Sequence, residues 1–401
     1  MARPIPSLCV SAYTATSAAG AGLAALEASL RERRSGLRPN DFEAAPLPTY
    51  IGRVDGVEDA PLPAAWAEWE CRNNRLAWLG LQADGFLDKV HAARARYGAD
   101  RVAVVLGTST SSIGASEEAY RTLDADGRYP AHLRRPIVHT PHSLGDFVAH
   151  ALQLSGPCIT TATACSSSAK VFAQAERLIR CGLADAALVG GVDTLCGSVL
   201  YGFNSLELVS PEPCRPFDPE RRGISIGEGA GFALLERDGS GTVPGPWLIG
   251  YGESSDAHHM STPHPDGLGA RLAIEQALAR SGVPAAAIGY INLHGTASQK
   301  NDEVEAKVVA DMFPASTRAS STKGWTGHAL GAAGVIEAVI ALIALERQFA
   351  PGTLNARTLD AACGPQIRLD NEDATLTHVS SHSFGFGGNN CVLFFGKERA
   401  A

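Results

Sequence analysis

Thr160-Thr-Ala-Thr-Ala-Cys-Ser-Ser-Ser-Ala-Lys170 joins an apolar segment to a helical one, and Cys165 stands at the joint. Beyond the joint, Val171, Phe172, Ala175, Leu178 and Ile179 recur at helical spacing until Gly182 stops the pattern. A thiol at a helix N-terminus meets the positive end of the macrodipole and a set of unpaired backbone N–H groups. That position predicts a favoured thiolate, and the same N–H groups can hold an oxyanion. A buried cysteine beside a Ser/Thr-rich N-cap is the plainer reading; the strand–turn–helix placement makes Cys165 a candidate nucleophile.

Around this joint, short apolar runs alternate with helical stretches. Residues 101–107, 186–191 and 290–293 read as buried strands, and residues 303–312 and 334–347 as helices. A Gly-rich turn feeds an apolar strand twice, at 227–235 and again at 385–395. This echo predicts a duplicated α/β unit with sheets buried between helices. The Gly/Pro cluster at 238–246 separates the copies, giving expected halves of 1–240, carrying the cysteine, and 247–401. Residues 40–63, rich in Pro, Ala and acidic side chains, read as irregular surface.

The chain has 401 residues, 45% of them hydrophobic and 19% charged, which is a globular composition. A net charge of −8 argues against non-specific nucleic-acid binding, which needs basic surface, and 6% aromatics argues against single-strand stacking platforms. Nine cysteines are scattered without a Cys-x-x-Cys pair, and no His cluster has zinc spacing, so no metal is expected. An odd, scattered set fits a reducing compartment. The N-terminus lacks the apolar core of a signal peptide. The most apolar helix, residues 335–346, is 12 residues long and contains Glu337; a membrane span needs about 20. A cytoplasmic protein is expected. No Gly-x-Gly-x-x-Gly follows a strand and no Walker A sequence occurs, so nothing supports a nucleotide site.

Two histidines have settings like that of Cys165. His294 ends the strand-like run Tyr290-Ile-Asn-Leu-His-Gly-Thr-Ala-Ser298, and His328 lies in Ser320-Ser-Thr-Lys-Gly-Trp-Thr-Gly-His-Ala-Leu-Gly-Ala-Ala-Gly334, ahead of a helix. Lys323 shares the second loop. Each alone is compatible with a structural role; two such loops, each after an apolar segment, make a shared site plausible.

Taken together, the chain resembles the β-ketoacyl-acyl-carrier-protein synthases, the condensing-enzyme branch of the thiolase superfamily. The likeness rests on Thr163-Ala-Cys-Ser-Ser-Ser168, Gly190-Gly-Val-Asp193, Cys214-Arg-Pro-Phe-Asp218, Gly227-Glu-Gly-Ala-Gly231, His294-Gly-Thr296, Lys323 with Gly327-His-Ala-Leu-Gly-Ala-Ala-Gly334, and Ser383-Phe-Gly-Phe-Gly-Gly-Asn389, in this order. It implies a thiolase-like fold, a duplicated layered αβαβα architecture, and an elongating enzyme that condenses a Cys165-bound acyl chain with malonyl carrier protein. His294 and His328 would stabilise the enolate, and the backbone N–H groups of Cys165 and Phe386 would form the other oxyanion hole. Lys323 would support the site, paired with Glu305, and Asp302 and Glu305 match acidic positions of the family. Thr296 and Ser298 match the hydroxyl pair that binds the pantetheine arm, Phe384 and Phe386 match the acyl gate, and Trp325 stands where a smaller residue is common. No cofactor is implied. The implied partners are an acyl carrier protein and a second subunit, either another copy or a chain-length factor. A non-condensing, chain-length-factor-like subunit is the alternative, and a cysteine hydrolase a third reading. The run Leu195-Cys-Gly-Ser-Val-Leu-Tyr-Gly-Phe203 also resembles ketosynthases of bacterial aryl-polyene clusters.

Overall fold

Two sets of five strands are built to one plan in a computed structural model that describes residues 3–42, 46–237 and 245–399. The first set is β1 (Leu8–Ser17), β2 (Val102–Gly107), β3 (Cys158–Thr161), β4 (Ala186–Asp193) and β5 (Gly229–Glu236), in the spatial order β1-β5-β4-β2-β3. The second is β6 (Trp247–Ser255), β7 (Ile288–Asn292), β8 (Arg318–Ser320), β9 (His378–Gly385) and β10 (Asn389–Gly396), in the order β6-β10-β9-β7-β8. In each set the three strands farthest from the seam run parallel and the other pairings are antiparallel. The sets meet where Leu8 and Cys9 pair with Leu248 and Trp247.

Helices α1 (Arg72–Leu81), α2 (Phe86–Tyr97) and α3 (Ser143–Ala151) cover one outer face of the first set. Helix α4 (Ser167–Arg180) packs on the opposite face. Helices α5 (Leu268–Ser281) and α6 (Gln299–Met312) cover the outside of the second set, α5 lying on β6 and β10. Helix α7 (Ala333–Arg347) lies beside α4 and touches strands of both sets. The result is the duplicated five-layer αβαβα arrangement. Every residue of α7 from Ala333 to Leu345 is buried, which is why its sequence is apolar on all faces rather than striped.

Local sequence sets the joints. Gly182, at φ 75°, takes the left-handed turn that ends α4, and the Leu183 N–H closes back on the Leu178 carbonyl. Gly107 and Gly191 sit side by side on β2 and β4. A Cβ on Gly107 would lie 2.4 Å from the Ser168 nitrogen, and one on Gly191 would lie 2.5 Å from the Ser168 Cβ. Only glycines let the first turn of α4 rest this closely on the sheet.

The stretch 40–63 departs from its reading as irregular surface. Tyr50–Gly52 forms a short strand beside Ile226–Gly227, and Ile51, Val54 and Val57 are buried. Isolated apolar residues in a Pro- and Ala-rich segment carry no periodic signal, yet each here finds a pocket. Gly52 passes so close to the Thr326 carbonyl that a Cβ would lie 2.2 Å from it. Most of the expected turn at 238–246 lies outside the described residues. Among the described residues, no helix is long and apolar enough to cross a membrane.

Candidate active site

Duplication brings equivalent loops together: the loop from β3 to α4 carries Cys165, and its counterpart from β8 to α7 carries Lys323 and His328. His294 follows β7, and Phe384 and Phe386 lie at the end of β9 and just beyond it. Cys165 is turned inward by Ala164, a non-glycine residue in the left-handed region at φ 52°. The Ser167 hydroxyl accepts from the Thr163 N–H at 2.9 Å and donates to the Ala164 carbonyl at 2.6 Å, locking the reversal.

His328 Nε2 lies 2.9 Å from Cys165 Sγ, and one ligand-type atom from each of Cys165, His294 and His328 falls within 4.8 Å of the others. The two imidazole rings stand 5.4 Å apart, nearly perpendicular at 84°. All three residues are buried, and they line a cavity of about 270 Å³ together with Thr296, Ser298, Phe384 and Phe386.

The electrostatics follow from burial. Desolvation pushes the Cys165 thiol up to about 12, while the Lys323 ammonium and the Phe386 backbone N–H pull it down. The resting group is therefore a thiol, which corrects the thiolate expected from the helix terminus. The regular helix starts only at Ser167, and loss of water outweighs the pull of Lys323 and of the Phe386 N–H. Burial first, then Lys323, holds both His294 and His328 well below the usual histidine value of 6.5, so both rings are neutral at pH 7.

Lys323 does not pair with Glu305. Its ammonium donates to the Glu337 carboxylate and to the His294 carbonyl oxygen. Glu305 instead accepts the His294 N–H at 2.8 Å and the Gly295 N–H at 2.7 Å. Both ends of the His294 backbone are thus gripped, the amide by Glu305 and the carbonyl by Lys323. Burial raises the Glu337 carboxyl to about 7 against the pull of Lys323. Asp302 acts at a remove from the thiol: it accepts the Phe217 N–H at 2.8 Å and the Ala297 N–H at 3.2 Å, and burial raises it to about 6.

The Thr296 and Ser298 hydroxyls lie 2.9 Å apart on the cavity wall. The Phe384 ring is 6.1 Å from that of His294, and Phe386 stacks on Phe203 at 5.6 Å. Two left-handed glycines, Gly387 and Gly388, follow Phe386. Trp325 does not shape this cavity: it is fully buried in the main core, and its indole N–H donates to the Ser29 carbonyl at 2.9 Å.

Two residues of the site were not singled out from sequence. Glu337 is a lone acid within an apolar helix, and that isolation is the signal that marks it. Asp193 accepts from the Thr108 hydroxyl at 2.5 Å, the Thr110 N–H at 2.9 Å and the Gly331 N–H at 2.6 Å, tying a loop of the first half to the His328 loop. Its signal is a carboxylate closing the buried strand that ends in Gly190-Gly-Val-Asp193.

Comparison with known proteins finds relatives over most of the chain. The family model described as "Beta-ketoacyl synthase, N-terminal domain" matches residues 75–240, and "Beta-ketoacyl synthase, C-terminal domain" matches residues 247–357. The chain is 33% identical over 304 residues to nodulation protein E of Rhizobium meliloti (strain 1021), covering 74% of this chain and 75% of that one. It is 32% identical over 318 residues to 3-oxoacyl-[acyl-carrier-protein] synthase 2 of Staphylococcus aureus (strain COL), covering 75% and 76%. A chain in the structure of the ketosynthase (ApeO) in complex with its chain length factor (ApeC) from Xenorhabdus doucetiae superposes with a TM-score of 0.87 at 37% identity, over 98% of each chain. By its family models, its relatives and its fold, this chain belongs to the β-ketoacyl synthase family.

Proposed function

We propose that the protein is an elongating β-ketoacyl-acyl-carrier-protein synthase with Cys165 as nucleophile and His294 and His328 as the enolate-stabilising pair. The observation that carries this reading is the buried constellation of one thiol and two neutral imidazoles at a cavity wall. In the loading step, the Cys165 sulfur attacks the thioester carbonyl of an acyl carrier protein. The thiol proton passes through the adjacent His328 ring to the departing pantetheine sulfur, so that step is neutral in protons. The backbone N–H groups of Cys165 and Phe386 face the developing oxyanion. Malonyl carrier protein then enters and loses carbon dioxide; ring N–H groups of His294 and His328 donate to the enolate oxygen, a task two neutral imidazoles suit. The new carbon–carbon bond expels the Cys165 sulfur as thiolate, which takes up one proton per turnover.

Lys323 and Glu305 hold His294 in place by its backbone, Thr296 and Ser298 offer hydroxyls to the pantetheine arm, and Phe384 and Phe386 flank the acyl entry. The two halves, 1–240 and 247–401, would each supply one side of this site. The protein would act in the cytoplasm on carrier-borne substrates without a cofactor, in fatty-acid, polyketide or aryl-polyene synthesis. Its second subunit would be another copy or a chain-length factor, the latter favoured by the likeness to a ketosynthase–chain length factor complex.

The test is incubation of purified protein with acyl and malonyl carrier proteins, followed by mass spectrometry of the carrier. A β-ketoacyl product with release of carbon dioxide is expected. Free fatty acid in its place would indicate a hydrolase. Product formed only when a second ketosynthase supplies the cysteine, even after this chain's Cys165 is removed, would indicate a non-condensing subunit.

A further inference from the structure

We propose that Cys165, His294 and His328 also form a reversible binding site for one zinc ion, and that zinc competes with the acyl chain for the free enzyme. Cys165 and His328 lie 163 residues apart in the chain, so linear spacing of the kind that marks zinc fingers could not reveal the group. In space, one sulfur and two ring nitrogens lie within 4.8 Å of one another. One thiolate and two imidazoles, with a fourth position left for water, is the donor set of an open zinc site. The fourth position faces the cavity of about 270 Å³.

With tetrahedral zinc at ordinary bond lengths, sulfur and imidazole nitrogen are about 3.6 Å apart; the Cys165–His328 separation of 2.9 Å would widen, and any of the three pairs lying out towards the 4.8 Å limit would close, as the ion binds. Each imidazole has a ring nitrogen that can donate a lone pair to the ion. The Cys165 thiol loses its proton to solvent as the zinc–sulfur bond forms, and no electron transfer is involved. Dedicated zinc sites fix the second nitrogen of each histidine with a carboxylate or carbonyl. Here Nδ1 of His294 and Nδ1 of His328 have no hydrogen-bond partner, and the Lys323 ammonium stands nearby. Both features favour a releasable ion over a permanently resident one. Acylation converts the thiol into a thioester and removes the sulfur donor, so zinc and acyl chain exclude each other. The all-S/N donor set gives magnesium and calcium no purchase.

The experiment titrates the purified, metal-free full chain with zinc chloride against a chromophoric chelator, with cobalt(II) as spectroscopic probe. One ion per chain is expected, with a thiolate-to-cobalt charge-transfer band, loss of acyl loading, and recovery on adding EDTA. Magnesium and calcium should do none of this. Capping Cys165 with iodoacetamide, or Cys165→Ala or His328→Ala, should weaken zinc binding by at least about 100-fold. A Cys158→Ser/Cys181→Ser variant, lacking the exposed thiols, should bind as the parent does. Circular dichroism confirms that each variant is folded, and the capped parent tests the idea without any substitution. Binding that survives capping of Cys165, a cobalt spectrum without the thiolate band, or no stoichiometric binding at about 100 µM zinc would overturn the proposal.

Discussion

In the proposed mechanism Cys165, His294 and His328 divide the reaction between them, and single replacements test that division. His294→Ala and His328→Ala each remove a donor to the enolate and should slow malonyl decarboxylation by at least about 100-fold; acyl loading, read by mass spectrometry of the intact protein, should persist in His294→Ala and slow, while staying measurable, in His328→Ala, which also loses the proton relay. Decarboxylation at the parent rate in both variants would refute their role. Cys165→Ser should lose most acyl transfer, because a hydroxyl is far less nucleophilic than sulfur, but retain decarboxylation because both imidazoles remain. The pH response follows from the shifts. Both histidines titrate well below 6.5, so decarboxylation should hold its rate as pH falls to 6.5 and decline only below it. In stability the unfolded chain protonates these histidines first, so each subtracts stability as pH falls below 6.5. Asp302 and Glu337, raised to about 6 and about 7, act in the opposite sense: their contribution is present at low pH and is lost as pH rises through those values. Comparing urea unfolding of the parent and His328→Gln between pH 5 and 7.5 isolates the histidine share, and the variant should lose less stability on acidification.

At the scale of elements, the first turn of α4 rests on two glycines, and that contact couples the sheet to the loop that carries Cys165. Gly107→Ala would drive a methyl group to 2.4 Å from the Ser168 nitrogen. Overpacking of this kind costs about 1–3 kcal/mol, and because Ser168 lies three residues after Cys165, activity should fall along with the urea midpoint. An unchanged midpoint would show that the helix can shift without cost. The same elements explain what sequence could disclose. The strands at 102–107 and 186–193 and the helices α4 and α7 were legible because apolar periodicity and terminal glycines act locally. Cys165, His294 and His328 were legible because each stands where an apolar run gives way to a Gly- or Ser-rich turn. The pairing of Lys323 was not: the family resemblance pointed to Glu305, whereas the partner, Glu337, arrives on a helix whose apolar sequence speaks only of burial. The thiol's protonation was likewise hidden, since a helix terminus can be read locally but the loss of water around a side chain depends on the whole packed site. The short strand Tyr50–Gly52 escaped because its pairing with Ile226–Gly227 is long-range.

At the scale of the molecule, the duplicated halves differ at their outer edges, and that difference argues for a second subunit. Strand β8 has the buried residues Ala319 and Ser320, and Ala319 also bridges to Ile367. Among the described residues strand β3 pairs only with β2, and its residues Cys158–Thr161 are exposed or half-buried. An unpaired edge strand at the end of a long sheet invites pairing with another chain. Exposed Ile113, Tyr120, Leu123, Tyr201 and Leu206 elsewhere on the first half supply apolar surface of the kind that interfaces cover. Sedimentation velocity should therefore show a dimer of the 41.9 kDa chain, or a heterodimer when a ketosynthase-like partner is co-expressed. Cys158→Glu distinguishes the two arrangements. If β3 pairs antiparallel with its own copy about a two-fold axis, two new carboxylates come to lie near that axis and repel each other. In a heterodimer only one carboxylate enters, and its effect depends on the facing residue. Dissociation of the homodimer at low salt, relieved at about 1 M salt where screening is strong, is the expected signature of self-pairing. A Cys158→Glu dimer as stable as the parent's at low salt would move the interface away from β3 and leave the edge strand to another occupant.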